Sequence, residues 1–534
     1  DWLAALARET DRRIMVRLVK GAYWDSEIKR AQEMGLESYP VYTRKILTDL
    51  SYVACARKLL SATDVFYPQF ATHNALTATT VREMAGDFAD YELQRLHGMG
   101  EALHDSLIEH GARSRIYAPV GGHKELLPYL VRRLLENGAN SSFVNQLIDA
   151  DLSVDDVVAD PLDDVAALET YANPLIPSPR NHLGGRLSAK GWDETDALTA
   201  AMLADGARDR LKPIAARPVI NGETGDGVIS PVDNPANTAD AIGSVEPAGE
   251  NDVARACAAA AGYCKEWAAK PSRERAAALR KAADLLDKRG LHFMTVAVFE
   301  AGKTWPDAIA EVREAVDFLR YYADECEKLN GEPLGVVACI SPWNFPLAIF
   351  LGQVSAALAA GNCVIAKPAE QTPLIAYEAI RLLYEAGVPP AALHYLPGDG
   401  PSVGAPLVAH PHVNGVVFTG STEVAQLIKR SLVAVGKYDA GLIAETGGIN
   451  AMIVDSTALL ERAVDDTVSS AFQSAGQRCS ACRVVCVQED IADRFNEMLA
   501  GAMETYVRRF GVAPGSRAVV ATCHDGAYSS AMAL

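Results

Sequence analysis

Short apolar runs alternate with helix-spaced stretches along most of this chain, and that alternation leaves few folds open. Runs at 13–19, 65–70 and 114–120 are strand-like, with helical patterns at 42–60 and 75–84 between them. The order returns further on, with an unbroken apolar run at 335–340, strand-like runs at 363–366 and 413–418, and one more at 451–454. Parallel strands need a crossover long enough to hold a helix, so strand, turn and helix in repetition predict parallel βαβ units and an α/β fold. Such sheets put their chemistry at the carboxyl ends of the strands. Polar clusters follow the early strands: Lys20 and Trp24, then Thr72, His73 and Asn74, then Tyr117.

With 534 residues, the chain is long for one domain, and about three or four are expected. The region 150–215 breaks the pattern. It begins acidic, and 173–185 is rich in Pro, Asn and Gly, including Pro174, Pro177 and Pro179. A domain boundary is expected there. The chain then divides into a first segment at 1–149, a linker at 150–215, a second α/β domain at 216–440 and part of a further domain at 441–511. The tail at 512–534 shows no clear period.

A net charge of −18 argues against nucleic acid or an anionic membrane as the main partner. The most apolar stretch, 334–366, is interrupted by Pro342, Asn344, Pro346 and Gln353. It lacks the ~20 unbroken apolar residues of a membrane span. Ten scattered cysteines fit a reducing cytoplasm better than a disulfide framework. Residues 1–10 do not read as a secretory signal.

Chemistry concentrates at four places in the second half. Cys479 lies in Ser-Ala-Gly-Gln-Arg-Cys-Ser, 474–480, where small residues suit a tight turn and Arg478 adjoins the thiol. A cation can lower a thiol pKa, and a thiolate can attack an aldehyde carbon. Taken alone, a free cysteine is more often a small buried apolar residue. Cys479 and Cys482 also form a Cys-x-x-Cys pair, but no second pair or neighbouring His accompanies it, so no metal is expected. Glu445 precedes Thr-Gly-Gly, and a carboxylate on a flexible segment suits a general base. Asn344, in the stiff loop Ser-Pro-Trp-Asn-Phe-Pro at 341–346, can donate to a developing oxyanion. Gly420 and Ser421 stand between a strand and a helix, where backbone N–H groups can hold a phosphate. No Gly-x-Gly-x-x-Gly fingerprint accompanies them.

These motifs, with Lys-Pro-Ala-Glu at 367–370 between the 341–346 loop and Gly420, stand in an order that resembles the aldehyde dehydrogenase superfamily. The resemblance implies a Rossmann-type NAD domain and part of a catalytic domain. It implies Cys479 as nucleophile, Glu445 as base for thioester hydrolysis, and Asn344 with the Cys479 backbone N–H as oxyanion hole. It also implies NAD held by Lys367 and Glu370 at the adenine ribose and by Trp343, Gly420 and Ser421 along the pyrophosphate. A carboxylate at position 370 favours NAD over NADP, because it would repel a 2′-phosphate.

The first segment resembles a second family. Arg-Leu-Val-Lys-Gly-Ala-Tyr-Trp at 17–24, Ala-Thr-His-Asn at 71–74, the motif at 91–99, Tyr-Ala-Pro-Val-Gly-Gly at 117–122 and the stretch 130–138 are similar to the flavin-dependent proline dehydrogenase barrel. That likeness implies part of a (β/α)8 barrel. It implies FAD contacts from Arg17, Lys20, Trp24, Thr72, His73, Asn74, Gln94 and Glu136. Arg132 and Arg133 would clamp the proline carboxylate, a bidentate task suited to guanidinium, and Tyr117 would pack on the ring. On residue pattern alone, Arg132 and Arg133 read as a solvated face of the helix at 125–136, and His73 as a satisfied core histidine.

Together the two halves resemble the bifunctional proline utilization A family, with the chain expected to be truncated at both ends relative to it. The resemblance implies oxidation of proline to pyrroline-5-carboxylate, then of glutamate semialdehyde to glutamate. Ser480 would hold the substrate carboxylate. A quinone would reoxidise the flavin, with contact at a membrane surface. The full protein would be a cytoplasmic homo-oligomer, and no nucleic-acid partner is expected of this chain. An incomplete chain that binds NAD without turnover, or that serves as a non-catalytic piece of such an enzyme, is the alternative.

Overall fold

The computed structural model describes residues 1–122 except 22 and 89, then 126, 127, 129–131 and 133, then 160–510, with side chains to 505, and the backbone of 519–522 and 530–533. The chain forms two compact units, Asp1–His182 and Leu183–Leu534.

In the first unit, β1 (Ile14–Val19), β2 (Phe66–Ala71), β3 (Glu92–Leu96) and β4 (Ser114–Tyr117) form a parallel sheet in chain order. Helices Trp24–Met34, Lys45–Leu60, Ala75–Ala85 and Glu101–Glu109 make the crossovers. This is part of a (β/α)8 barrel. Phe70, Leu93, Tyr52, Val81 and Leu107 build its core. Pro68 is tolerated inside β2 because β3 begins pairing only opposite Gln69, so Pro68 faces β1 alone. The hydrophobic pattern did not predict β3, whose five residues are all buried although three are polar. Their charges are matched: Arg115 of β4 donates to both oxygens of Glu92 at 2.7 Å, and Arg95 pairs with Glu101 of the following helix at 3.4 Å.

In the second unit, helices Ala197–Ala204 and Ala207–Arg210 lead to β5 (Ile214–Ala216), β6 (Val219–Ile220), β7 (Glu223–Thr224) and the hairpin β8 (Ser230–Asn234) and β9 (Asn237–Val245). After four helices come β10 (Val336–Ile340), β11 (Cys363–Lys367), β12 (Leu393–Tyr395), β13 (Val413–Gly420) and β14 (Gly441–Thr446). One seven-stranded sheet runs in the order β14-β13-β10-β11-β12-β6-β7, and its first five strands are parallel. It therefore extends past residue 440. Every residue of β10 and β11 is buried, as expected for strands covered on both faces. The chain steps from β10 to β11 on one side and later to β13 on the other, so a topological switch point opens between β10 and β13.

A smaller sheet follows: β15 (Asn450–Val454) pairs in parallel with β16 (Cys482–Val487), and β17 (Val519–Thr522) and β18 (Ser530–Ala533) extend it antiparallel. These last strands fall in the tail, where four-residue runs of small side chains carry no readable period. Ala189, Leu203 and Leu211 of the expected linker pack into the main core of the second unit. Among the described residues no helix is long and apolar enough to cross a membrane.

Two helices brace the large sheet by a device invisible to local pattern. Glu300, at the end of helix Gly290–Ala301, accepts from the N–H groups of Leu374 (2.5 Å) and Ile375 (2.9 Å), the first turn of helix Pro373–Ala386. Burial pushes its carboxyl up to about 8, against the downward pull of those two donors. The folded chain thus keeps a proton that the unfolded chain releases near 4.5. The stabilising contribution is full below that value and is lost as pH rises through about 8. Urea midpoints should therefore fall with pH across this window, and Glu300→Gln should flatten the decline. A Gln variant with the wild-type slope would assign the titration to another group.

Candidate active site

A cavity of about 750 Å3 opens over the carboxyl ends of the large sheet. Its lining gathers Trp343, Asn344, Lys367, Glu370, Gly420, Ser421, Glu445 and Cys479. These come from segments spread over more than 130 residues of sequence. The sheet explains the convergence: Asn344 follows β10, Lys367 ends β11, Gly420 ends β13 and Glu445 lies opposite Thr419 near the end of β14. Ser480 is exposed beside Cys479 and is not among the lining side chains.

Cys479 is exposed on a loop between helix Leu460–Phe472 and β16. The loop begins with a left-handed turn, with φ of 53° at Ser474, 54° at Ala475 and 69° at Gly476. For serine and alanine this backbone is uncommon and must be held by neighbours. Asn344 Nδ2 donates to the Gln477 carbonyl at 2.7 Å, so the amide already stands against the Cys479 loop. Asn450 Nδ2 donates to the carbonyls of Cys479 (2.6 Å) and Ala481 (3.1 Å). Arg478 donates to Gln473 at 2.8 Å and stacks over the Phe345 ring. The second cysteine of the pair behaves differently: Cys482 is buried, contacts the Val484 carbonyl, and burial raises its thiol pKa.

The other end of the cavity suits a dinucleotide by its donors. The buried Lys367 amine donates to the Pro368 carbonyl at 3.0 Å and lies 3.9 Å from Glu370; burial lowers its pKa. Ser421 caps helix Thr422–Ala434 by accepting from the Val424 N–H. A Cβ on Gly420 would meet the Phe418 ring at 2.5 Å, so any side chain there would have to displace that ring. Val424, Leu427 and Ile428 add an apolar wall. Their helical spacing was readable in the sequence, but motif matching passed over it. Asn450 and Arg483 were also missed, because neither belongs to the motifs.

In the first unit, Arg17 of β1, Gln94 of β3 and Tyr117 at the end of β4 meet. Arg17 donates to Gln94 at 2.9 Å and stands 4.9 Å over the Tyr117 ring. Lys20 turns to Asp49 (2.5 Å) and Thr77 (3.0 Å). Trp24 donates to the Tyr42 carbonyl. Thr72 accepts from the Asn74 N–H, and Asn74 in turn caps helix Ala75–Ala85. His73 Nε2 accepts from the Leu96 N–H, and burial lowers its pKa to about 4. That burial favours the neutral ring. Arg133 stacks over Tyr129. Arg132 and Glu136 lie outside the described residues. The Arg17 guanidinium and the Gln94 amide supply polar groups beside the Tyr117 ring, and Lys20 is paired with an internal carboxylate.

Comparison with known proteins agrees with this division. The aldehyde dehydrogenase family model matches residues 223–516, and the proline dehydrogenase model matches 1–146. The bifunctional protein PutA of Salmonella typhimurium is 52% identical over 94% of this chain and 40% of its own length. A 1-pyrroline-5-carboxylate dehydrogenase of Anoxybacillus flavithermus is 40% identical over 52% of this chain and 58% of its own. A crystal structure of a Bradyrhizobium japonicum proline utilization A variant superposes with a TM-score of 0.81 at 49% identity, covering 94% of this chain and 50% of that one. A 1-pyrroline-5-carboxylate dehydrogenase from Thermus with bound NAD gives a TM-score of 0.57 at 32% identity, over 60% of this chain and 66% of that one. The chain thus spans 40% to 50% of the length of these bifunctional relatives.

Proposed function

The chain belongs to the aldehyde dehydrogenase family, and from that premise we propose that its second unit oxidises L-glutamate γ-semialdehyde, the open form of pyrroline-5-carboxylate, to glutamate. The first unit is proposed as part of the flavin-dependent proline dehydrogenase that supplies this substrate. The carrying observation is the convergence of Cys479, Asn344 and Glu445 on one cavity whose far end offers Lys367, Glu370, Gly420 and Ser421.

In this reading the Cys479 thiolate attacks the aldehyde carbon. The S–C bond forms as the carbonyl π electrons move to oxygen. Asn344 Nδ2 and the Cys479 N–H meet that charge. NAD, when bound, supplies the hydride acceptor. The thioester left on Cys479 is opened by water, whose proton Glu445 takes as the nucleophile is released. Ser480 is proposed to hold the distal carboxylate, and Trp343 to lie along the pyrophosphate of NAD.

In the first unit, FAD, when bound, would accept the hydride equivalent of proline. Arg17, Lys20, Trp24, Thr72, His73, Asn74, Gln94 and Glu136 are proposed to hold it. Tyr117, Arg132 and Arg133 are proposed for proline. Reoxidation by a quinone at a membrane surface, a homo-oligomeric full protein and a cytoplasmic setting complete the proposal.

The test is NADH formation from pyrroline-5-carboxylate by this chain and by Asn344→Ala. Loss of one oxyanion donor should lower kcat about 100- to 1,000-fold with NAD affinity unchanged. Equal rates in the two proteins would remove Asn344 from the oxyanion site. A folded wild-type chain that binds NAD without turnover would leave a nucleotide-binding piece.

A further inference from the structure

The left-handed turn before Cys479 needs a holder, and the structure assigns that task to a carboxylate far away in sequence: we propose that Asp307 is a positioning residue for the nucleophile. The inference rests on the reading of Cys479 given above. Asp307 lies in the first turn of helix Trp305–Cys326 and is 7% exposed. Its two oxygens face different ways. Oδ2 accepts from Thr304 Oγ1 at 2.8 Å, within its own helix cap. Oδ1 leaves the helix and accepts from Ser474 Oγ at 2.8 Å, with Gln473 Nε2 at 3.4 Å. Ser474 is the residue that enters the left-handed region first, at φ 53°.

Other contacts grip this loop at the last residue of the turn and after it. Arg483 donates to the Gly476 carbonyl, and Asn450 to those of Cys479 and Ala481. Asp307 acts on Ser474, where the turn begins.

The same helix end also fixes the oxyanion side. Lys303 Nζ donates to the Asn344 carbonyl at 2.6 Å. Glu311 accepts from the N–H groups of Leu347 (2.9 Å) and Ala348 (2.8 Å). Residues 303–311 therefore set the distance between the thiol and the amide that must act on one carbonyl group. Displacements of about 1 Å in such a pair cost on the order of 100-fold in rate.

The experiment uses the full chain with Asp307→Ala, Asp307→Asn and Ser474→Ala. Hydrogen exchange is read at 473–479, with β10 as internal reference, beside kcat and KM for pyrroline-5-carboxylate oxidation. Both alanine variants should speed exchange at 473–479 about tenfold or more while β10 keeps its protection. Each should lower kcat roughly 10- to 100-fold with KM for NAD unchanged. Asp307→Asn retains an acceptor for Ser474 and should restore both readings. Ser474→Ala leaves the helix cap intact, so it decides the matter if Asp307→Ala unfolds. Faster exchange in the alanine variants, reversed in Asn, supports the positioning role even if the wild-type chain does not turn over; that result would sink the activity reading alone. Wild-type exchange at 473–479 in Ser474→Ala and in folded Asp307→Ala, or failure of Asn to restore it, overturns the proposal.

Discussion

Replacing Cys479 by alanine should lower aldehyde-dependent NADH formation about 10,000-fold or more, because it removes the covalent route and does not merely weaken one contact. The matched control is Cys482→Ala. Both cysteines lie within one short segment, so a general disturbance of the loop would affect both variants. Cys482 is buried against the Val484 carbonyl, and its thiol is kept protonated by that burial. Cys479 is exposed on the cavity wall. Titration with iodoacetamide, read peptide by peptide, should label Cys479 and spare Cys482. NAD affinity should be the same in wild type and Cys479→Ala, since Lys367, Glu370, Gly420 and Ser421 are untouched. Turnover that survives in Cys479→Ala and disappears in Cys482→Ala would transfer the chemistry to the other thiol.

Removing Glu311 should be the most damaging single change to stability, about 3–5 kcal/mol. Its side chain is fully buried and pairs with Lys303 at 3.1 Å, itself 6% exposed. Alanine there strands an ammonium in the interior and leaves two helix N–H groups without their acceptor. Lys303 cannot simply turn to solvent, since it also holds the Asn344 carbonyl and stands 4.6 Å over the Phe345 ring. Chemical denaturation of Glu311→Ala, Lys303→Met and the double variant gives the cycle. The double variant should lose less than the two single losses added together, because it strands no charge. Simple additivity would mean that the pair contributes nothing beyond its separate neighbours.

Much of the site was legible because it is local. Asn344, Lys367, Gly420 and Glu445 each follow an apolar run that forms a strand of the large sheet, and strand ends are where an α/β fold collects its chemistry. What stayed hidden depends on the third dimension. β3 carries Glu92, Gln94 and Arg95 inside the sheet, so it has no apolar run to notice. Asp307 touches Ser474 across 167 residues, and no local period encodes such a pair. The left-handed turn falls on serine and alanine, residues that usually argue against that backbone, so only its tertiary support explains it. In the first unit the motif residues were readable, but the sequence could not tell that Lys20 would spend its charge on Asp49.

The helices Gly290–Ala301 and Trp305–Cys326 each send a buried carboxyl group, Glu300 and Glu311, into the first turn of a different helix beside the sheet. Neither crossover can therefore come loose by itself without abandoning a group that water cannot reach. Such locking removes low-cost partial openings, so exchange in both crossovers and in helices Gly290–Ala301 and Trp305–Cys326 should follow one common rate, that of global unfolding. A protease probing the folded chain would then find this half of the molecule all closed or all open.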